Sequence, residues 1–327
     1  MILTGLLSLS GLCICMILSI TFGTKSVGYQ NILDALQGIR LENYQTSVVQ
    51  SRIPRMVFGV IAGAALSISG AMMQSVTRNP IADPSILGVN TGASLFVVCG
   101  MSFFHITSPN QYIWCAFAGA ALTALLVYGL ASTGHGGATP MKLALAGTAA
   151  GTALQSLVNT VMLPDSQVMD QFRFWQTGNI GGASWSDIRL LLPYFAAGFL
   201  LSICMAPFLN ALALGDETAT SLGVNVTAVR GLSALAGVLL CASTTALAGP
   251  IGFISLMIPH LVRLVLGPDM RVLLPFSALL GSCLLLIADL AGRILGRPGE
   301  IESGIITALM GAPVFILIIR KGKVYGL

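Results

Sequence analysis

The chain carries very little charge. Asp, Glu, Lys and Arg make up 9% of its 327 residues, where a soluble globular domain carries about 25%. So few ionisable groups cannot keep a folded surface of this size in water, which excludes the soluble classes. The net charge of +4 is too thin over such a length to form the basic patch that nucleic acid needs. Histidine is scarce too. His105, His135 and His260 stand far apart, and none falls in a His-Glu-x-x-His pattern, so no metal site is expected. No G-x-x-x-x-G-K-[ST] phosphate loop exists; Gly23-Thr24-Lys25-Ser26 lacks the Gly-Lys pair. No Ser-His pair or carboxylate dyad stands out in the apolar segments, which argues against an intramembrane hydrolase. We therefore expect no catalytic residue and no cofactor bound by this chain. The seven cysteines lack the paired spacing of a disulfide framework or a metal site and read as small buried hydrophobes.

What is abundant is apolar. Hydrophobic residues make up 55% of the chain and glycines number 37, a composition suited to close helix crossings in a membrane. Apolar windows long enough to span a bilayer fall near 3–22, 54–76, 85–104, 112–132, 142–163, 190–208, 230–248, 252–266, 272–292 and 304–319. The fold class expected is all-α: a polytopic membrane protein of about ten transmembrane helices. Residues 1–23 lack a basic leader and a clean cleavage site, so they read as a retained first span rather than a secretion signal. The longest polar interval, Thr24 to Gln50, is too short for a core of its own. One transmembrane domain over 1–327 is the result.

An even number of spans puts both termini on one side. With cytoplasmic termini, the 16 Lys and Arg split eight against eight between the two faces, so the positive-inside rule does not choose. The basic tail Arg320-Lys-Gly-Lys323 favours cytoplasmic termini. Arg52, Arg55, Arg173 and Arg293 then lie outside and need a reason to be there.

Three groups of residues stand out. In the fifth span Thr148, Thr152, Gln155 and Asn159 recur at offsets of 4, 3 and 4, one helix face. Ser156 and Thr160 widen the stripe, and Gly63, Ser67, Gly70 and Gln74 repeat the spacing in the second span. Such stripes either hydrogen-bond neighbouring helices or line a watery path, and a wall of hydroxyls and amides suits a bulky chelate better than a bare cation. Second, Arg52 and Arg55 open the second span, where the helix dipole disfavours cations; partner carboxylates or lipid headgroups would each account for them. Third, Asp216 and Glu217 suit a helix first turn and Gly223 a helix end. Leu209 to Arg230 therefore reads as a short surface helix, the alternative being a solvated loop. After the seventh span, Gly249-Pro250 and Pro259 bracket a half-length apolar run, the pattern of a broken helix facing a cavity.

The strings RIPR (52–55), NPIADPSILGVNTGA (79–93), MKLALAGTA (141–149), LGDETATSLGVNV (214–226), GPIGFISLMIPHLVR (249–263) and GIITALMGAPVFILIIRK (304–321) lie in order over nearly the whole chain. Together they resemble the permeases of binding-protein-dependent ABC importers for ferric siderophores, haem and cobalamin. FRFWQTGNI (172–180) and ADLAGRILGRPGEI (288–301) are most similar to ferric-enterobactin permease subunits. One departure is Glu300-Ile-Glu302-Ser-Gly304, where the family places proline at the position of Glu302.

The resemblance implies a type II ABC importer permease in the cytoplasmic membrane, with both termini cytoplasmic. It would pair with a second permease, identical or related, around a central path. Two ATPase subunits, which hold ATP and Mg, would sit below, and a substrate-binding protein would dock above. The cargo would be an iron chelate, of catecholate type on the finer resemblance, with haem or cobalamin as alternatives. On the matched positions, Gln74, Thr148, Thr152, Gln155 and Asn159 would line the path. Arg52, Arg55 and Arg293 would meet the binding protein, and Asp216, Glu217 and Gly223 the ATPase. A stand-alone secondary transporter or channel is the rival from another class. It would need an intramembrane acid or base, and Asp289 is the one ionisable residue placed within a span.

Overall fold

The computed structural model describes residues 2–24, 44–106, 108–133 and 139–321. Lys25, His135 and Lys323 of the readings above lie outside the described residues. Twelve helices run through the described chain, with no strand among them: α1 (Ile2–Thr21), α2 (Tyr44–Thr77), α3 (Val89–Phe104), α4 (Pro109–Ser132), α5 (Pro140–Met162), α6 (Ser166–Gln176), α7 (Trp185–Ala213), α8 (Asp216–Ser221), α9 (Val226–Ala248), α10 (Ile254–Leu266), α11 (Met270–Leu295) and α12 (Ser303–Lys321). Six of them (α1, α2, α4, α7, α9, α11) are long and apolar enough to cross a membrane, and α3, α10 and most of α12 are shorter apolar helices. With the more polar α5, they account for the ten windows expected. The two remaining helices, α6 and α8, lie between spans.

α2 sits at the centre, packed on α1, α7, α9, α10 and α11. It crosses α11 closely, where a Cβ on Gly63 would come within 2.5 Å of the Gly281 carbonyl oxygen. Two helix backbones can approach that closely only through glycine. A second layer forms where α3 packs on α4 and α5.

One boundary differs from expectation, and one short helix matches it. α2 begins ten residues before Pro54 and carries that proline inside it, so Arg52 and Arg55 sit in its third and fourth turns. The dipole objection to cations at a helix start does not apply to them. The short helix, α10, has only 13 residues, about 20 Å of helix. The non-helical run Gly249–Phe253 before it adds at most about 17 Å, enough in sum to complete a crossing of about 30 Å. Non-helical backbone at such depth is tolerated where protein covers it, and Ile251 is buried. The 177–180 connector pins this region: Asn179 N–H donates to Ala248 O, and Gly304 N–H donates to Gly178 O.

The cysteines depart from expectation. Of the seven, Cys241 is buried while Cys13 and Cys204 are exposed. Both exposed thiols lie on apolar helices whose outer surface is itself apolar, with Leu9, Ile14, Leu200 and Ile203 beside them. Small size, not burial, is what suits these positions.

Candidate functional site: two charged ends and a polar helix face

At one end of the bundle, arginines gather around the close of α1. A helix leaves its last four carbonyls without intrahelical donors. Here Arg52 donates to Ile20 O and Thr21 O, and Arg293 donates to Ser19 O, Ser19 Oγ and Phe22 O. Arg297 donates to Gly23 O. Cations also suit the negative end of a helix dipole. Asp289 joins the arginines to one another: its Oδ1 lies 2.7 Å from Arg55 Nη2 and its Oδ2 3.0 Å from Arg293 Nη2. Arg55 also holds Glu300 at 2.8 Å.

Arg52, Arg55, Arg293 and Asp289 are all buried. The three arginines therefore do not project as an open ring; they tie α1, α2, α11 and the α11–α12 connector together. A cavity of about 200 Å³ remains beside them, lined by Arg52, Arg55, Arg293, Glu300, Ser51 and Gly181 among others. The sequence reading missed Asp289 and Glu300 as partners, although the i,i+4 spacing of Asp289 and Arg293 is a visible signal.

The polar stripe of the fifth span behaves differently from that of the second. On α5, Thr148, Thr152, Ser156, Asn159 and Thr160 are exposed and Gln155 is half-buried. Their hydroxyls and the Gln155 amide N–H donate within α5 itself, while the Gln155 carbonyl oxygen and the Asn159 amide nitrogen have no bond seen among the described residues. Thr148 Oγ1 donates to Ala144 O, Thr152 to Thr148 O, Ser156 to Thr152 O and Thr160 to Ser156 O, while Gln155 donates to Asn159. They bind no other helix of this chain through any bond seen among the described residues.

Gln74, expected with the path, is fully buried. Pro259 has no N–H to give the carbonyl four residues back, at Ser255, and the Gln74 amide donates to Ser255 O at 3.3 Å and Leu256 O at 3.2 Å. Arg263 holds the other side of that amide, donating to Gln74 Oε1 at 3.0 Å. Gln74 thus makes good the break in α10. Ser67 and Gly70 of the same stripe are turned into contacts with α11 and α10. In the 79–93 turn, Asp83 accepts from Ser85 N–H and from Ser255 Oγ, at 2.6 and 2.7 Å, fastening the turn to the start of α10.

At the opposite end, α7 gives way to α8. Gly223 sits at φ +80, its N–H bonded to Thr220 O and that of Val224 to Ala219 O, the paired closure in which a glycine takes the left-handed position. Leu214, Glu217, Thr218, Thr220 and Leu222 are exposed around this short helix. Asp216 faces the other way. Its carboxylate lies 2.6 Å from Arg78 and 3.0 Å from Arg230.

A multi-pass membrane protein with charged ends, a broken tenth helix and a polar face on one span is the architecture of a transport permease. The chain belongs to the FecCD transport family, whose model matches residues 11–321. It is 40% identical over 318 residues to the ferric enterobactin transport system permease protein FepD of Escherichia coli, covering 97% of this chain and 94% of that one. It is 39% identical over 309 residues to the Fe(3+)-citrate import system permease protein YfmD of Bacillus subtilis, covering 94% and 91%. Among solved structures, an inward-facing metal-chelate type ABC transporter matches with a TM-score of 0.83 at 26% identity, over 96% of this chain and 97% of that one. The protein is a permease of a metal-chelate type ABC importer, and its role is transport within a complex of ABC subunits.

Proposed function

We propose that the chain carries a ferric siderophore, of catecholate type, from a docked binding protein into the cytoplasm. The face of α5 carries this reading. It is a strip of exposed hydroxyls and amides on a bundle whose exposed residues are otherwise largely apolar, and lipid gives such groups no partner. A second permease, identical or related, would complete a path along it. Two ATPase subunits holding ATP and Mg would supply the energy, engaging the exposed side of α8 through Glu217 and the turn at Gly223. Both termini are then cytoplasmic, and the arginine end faces outward. There Arg52, Arg55 and Arg293 line the cavity, where acidic groups of a binding protein would meet them. The ferric chelates named for the two relatives support an iron chelate as cargo. A secondary transporter is disfavoured because Asp289, the acid it would use, is held by two arginines.

The test compares leucine substitutions on the two stripes. Gln155→Leu and Asn159→Leu are expected to slow uptake of radiolabelled ferric enterobactin at least about five-fold while the complex assembles normally, whereas Gln74→Leu lowers thermal stability, since an unmet buried polar group costs about 1–3 kcal/mol. Normal uptake with poor assembly in the α5 variants would make that stripe an adhesive between permeases and overturn the path.

A further inference from the structure

We propose that Asp216 is the joint through which α8 moves the bundle, and that it works by binding Arg78 and Arg230 rather than by touching the ATPase. The proposal rests on the function proposed above and adds a positioning residue to it. Four elements meet at this carboxylate. Arg78, just past the end of α2, donates through Nη2 to Asp216 Oδ1 and to Leu212 O, both at 2.6 Å. Arg230, in the second turn of α9, donates to the same Oδ1 at 3.1 Å and pairs with Oδ2 at 3.0 Å. Leu212 closes α7, and Asp216 opens α8. Arg78 holds a left-handed backbone, φ 48, where a bulky residue is rarely found; a strained position kept at a charge cluster points to use.

A six-residue helix cannot transmit a push through its own packing, because it has too few buried contacts to resist rotation. Ala219 is its one buried side chain. Ionic ties to two spans at once give it rigidity in two directions. Displacement of α8 by a partner would then be imposed on the ends of α2 and α9 together, and α2 is the helix against which α10 and α11 pack.

Asp216→Asn keeps the shape and removes the charge; Asp216→Glu keeps the charge. In nanodiscs holding the permease with its ATPase and binding protein, Asp216→Asn is expected to keep ATPase association, and basal hydrolysis within about two-fold, while chelate moved per ATP falls about ten-fold. Asp216→Glu is expected to restore most of that ratio. A separate measurement needs no partner. In a background without the native cysteines, spin labels at the exposed positions Ile81 and Leu222 should give one narrow distance, broadened by Asp216→Asn and not by Asp216→Glu. An unchanged distance or an unchanged ratio in Asp216→Asn overturns the joint. Loss of ATPase association in that variant would make Asp216 a contact for the partner and overturns it equally. A parent chain that carries no ATPase would sink the proposed function instead, and the spin-label distance would judge the joint alone.

Discussion

Asp289 holds the arginine end together. Its side chain is 1% exposed and lies between Arg55 and Arg293, so its removal leaves two guanidinium groups partly uncompensated in a buried place. Breaking a buried ion pair from one side costs about 3–5 kcal/mol. Asp289→Asn is therefore expected to lower the melting temperature of the purified permease sharply and to reduce its amount in the membrane. Melting like the parent's would show that Arg55 and Arg293 are supported without it. The docking role proposed for these arginines has to operate through the same network. A substitution such as Arg293→Glu will disturb both fold and docking, and reads cleanly only in variants whose melting is checked first.

At the scale of elements, α8 and its terminal glycine are the most exposed to test. A Cβ built on Gly223 meets nothing within 4 Å, so the cost of Gly223→Val within this chain is conformational. Placing a β-branched residue at positive φ costs on the order of 1–2 kcal/mol, comparable to what a six-residue helix can hold. Gly223→Val is expected to lose ATPase co-purification, while Gly223→Asn, which tolerates the left-handed region, retains most of it. Equal co-purification by both variants would mean that the shape of this turn is irrelevant to the partner. α6 was not anticipated in the sequence at all. Its start is marked by Asp165, which accepts from the N–H groups of Gln167 and Val168, but an 11-residue amphipathic helix leaves no window long enough to register among membrane spans. α10 shows the reverse case. Gly249-Pro250 and Pro259 announced a break in the sequence, yet the donor that repairs it, Gln74, is 181 residues away from Ser255 and looked like part of a path.

For the whole molecule, the proposed orientation places the arginine end outside and α8 inside. Arg173 on α6 and Leu222 after α8 are both exposed, so single cysteines at these positions report on opposite faces. In a background without the native seven, an impermeant maleimide applied to intact cells is expected to label position 173 and not 222. Labelling of 222 alone would invert the topology and with it the assignment of docking and coupling ends. The sequence by itself determined the class, because apolar windows and scarce charge admit only a membrane bundle, and it placed ten spans because bilayer thickness fixes their length. It also marked both ends of α8, since a first-turn acid pair and a glycine at positive φ are local requirements. Only the tertiary structure decided what the polar residues face. The stripes on α2 and α5 have the same spacing, but one meets the backbones of α10 and α11 and the other makes no hydrogen bond to another helix among the described residues. Likewise, arginines that looked unpaired in the sequence close the end of α1. Periodicity fixes which residues share a face; which neighbour covers that face depends on contacts between residues hundreds of positions apart, which no local pattern encodes.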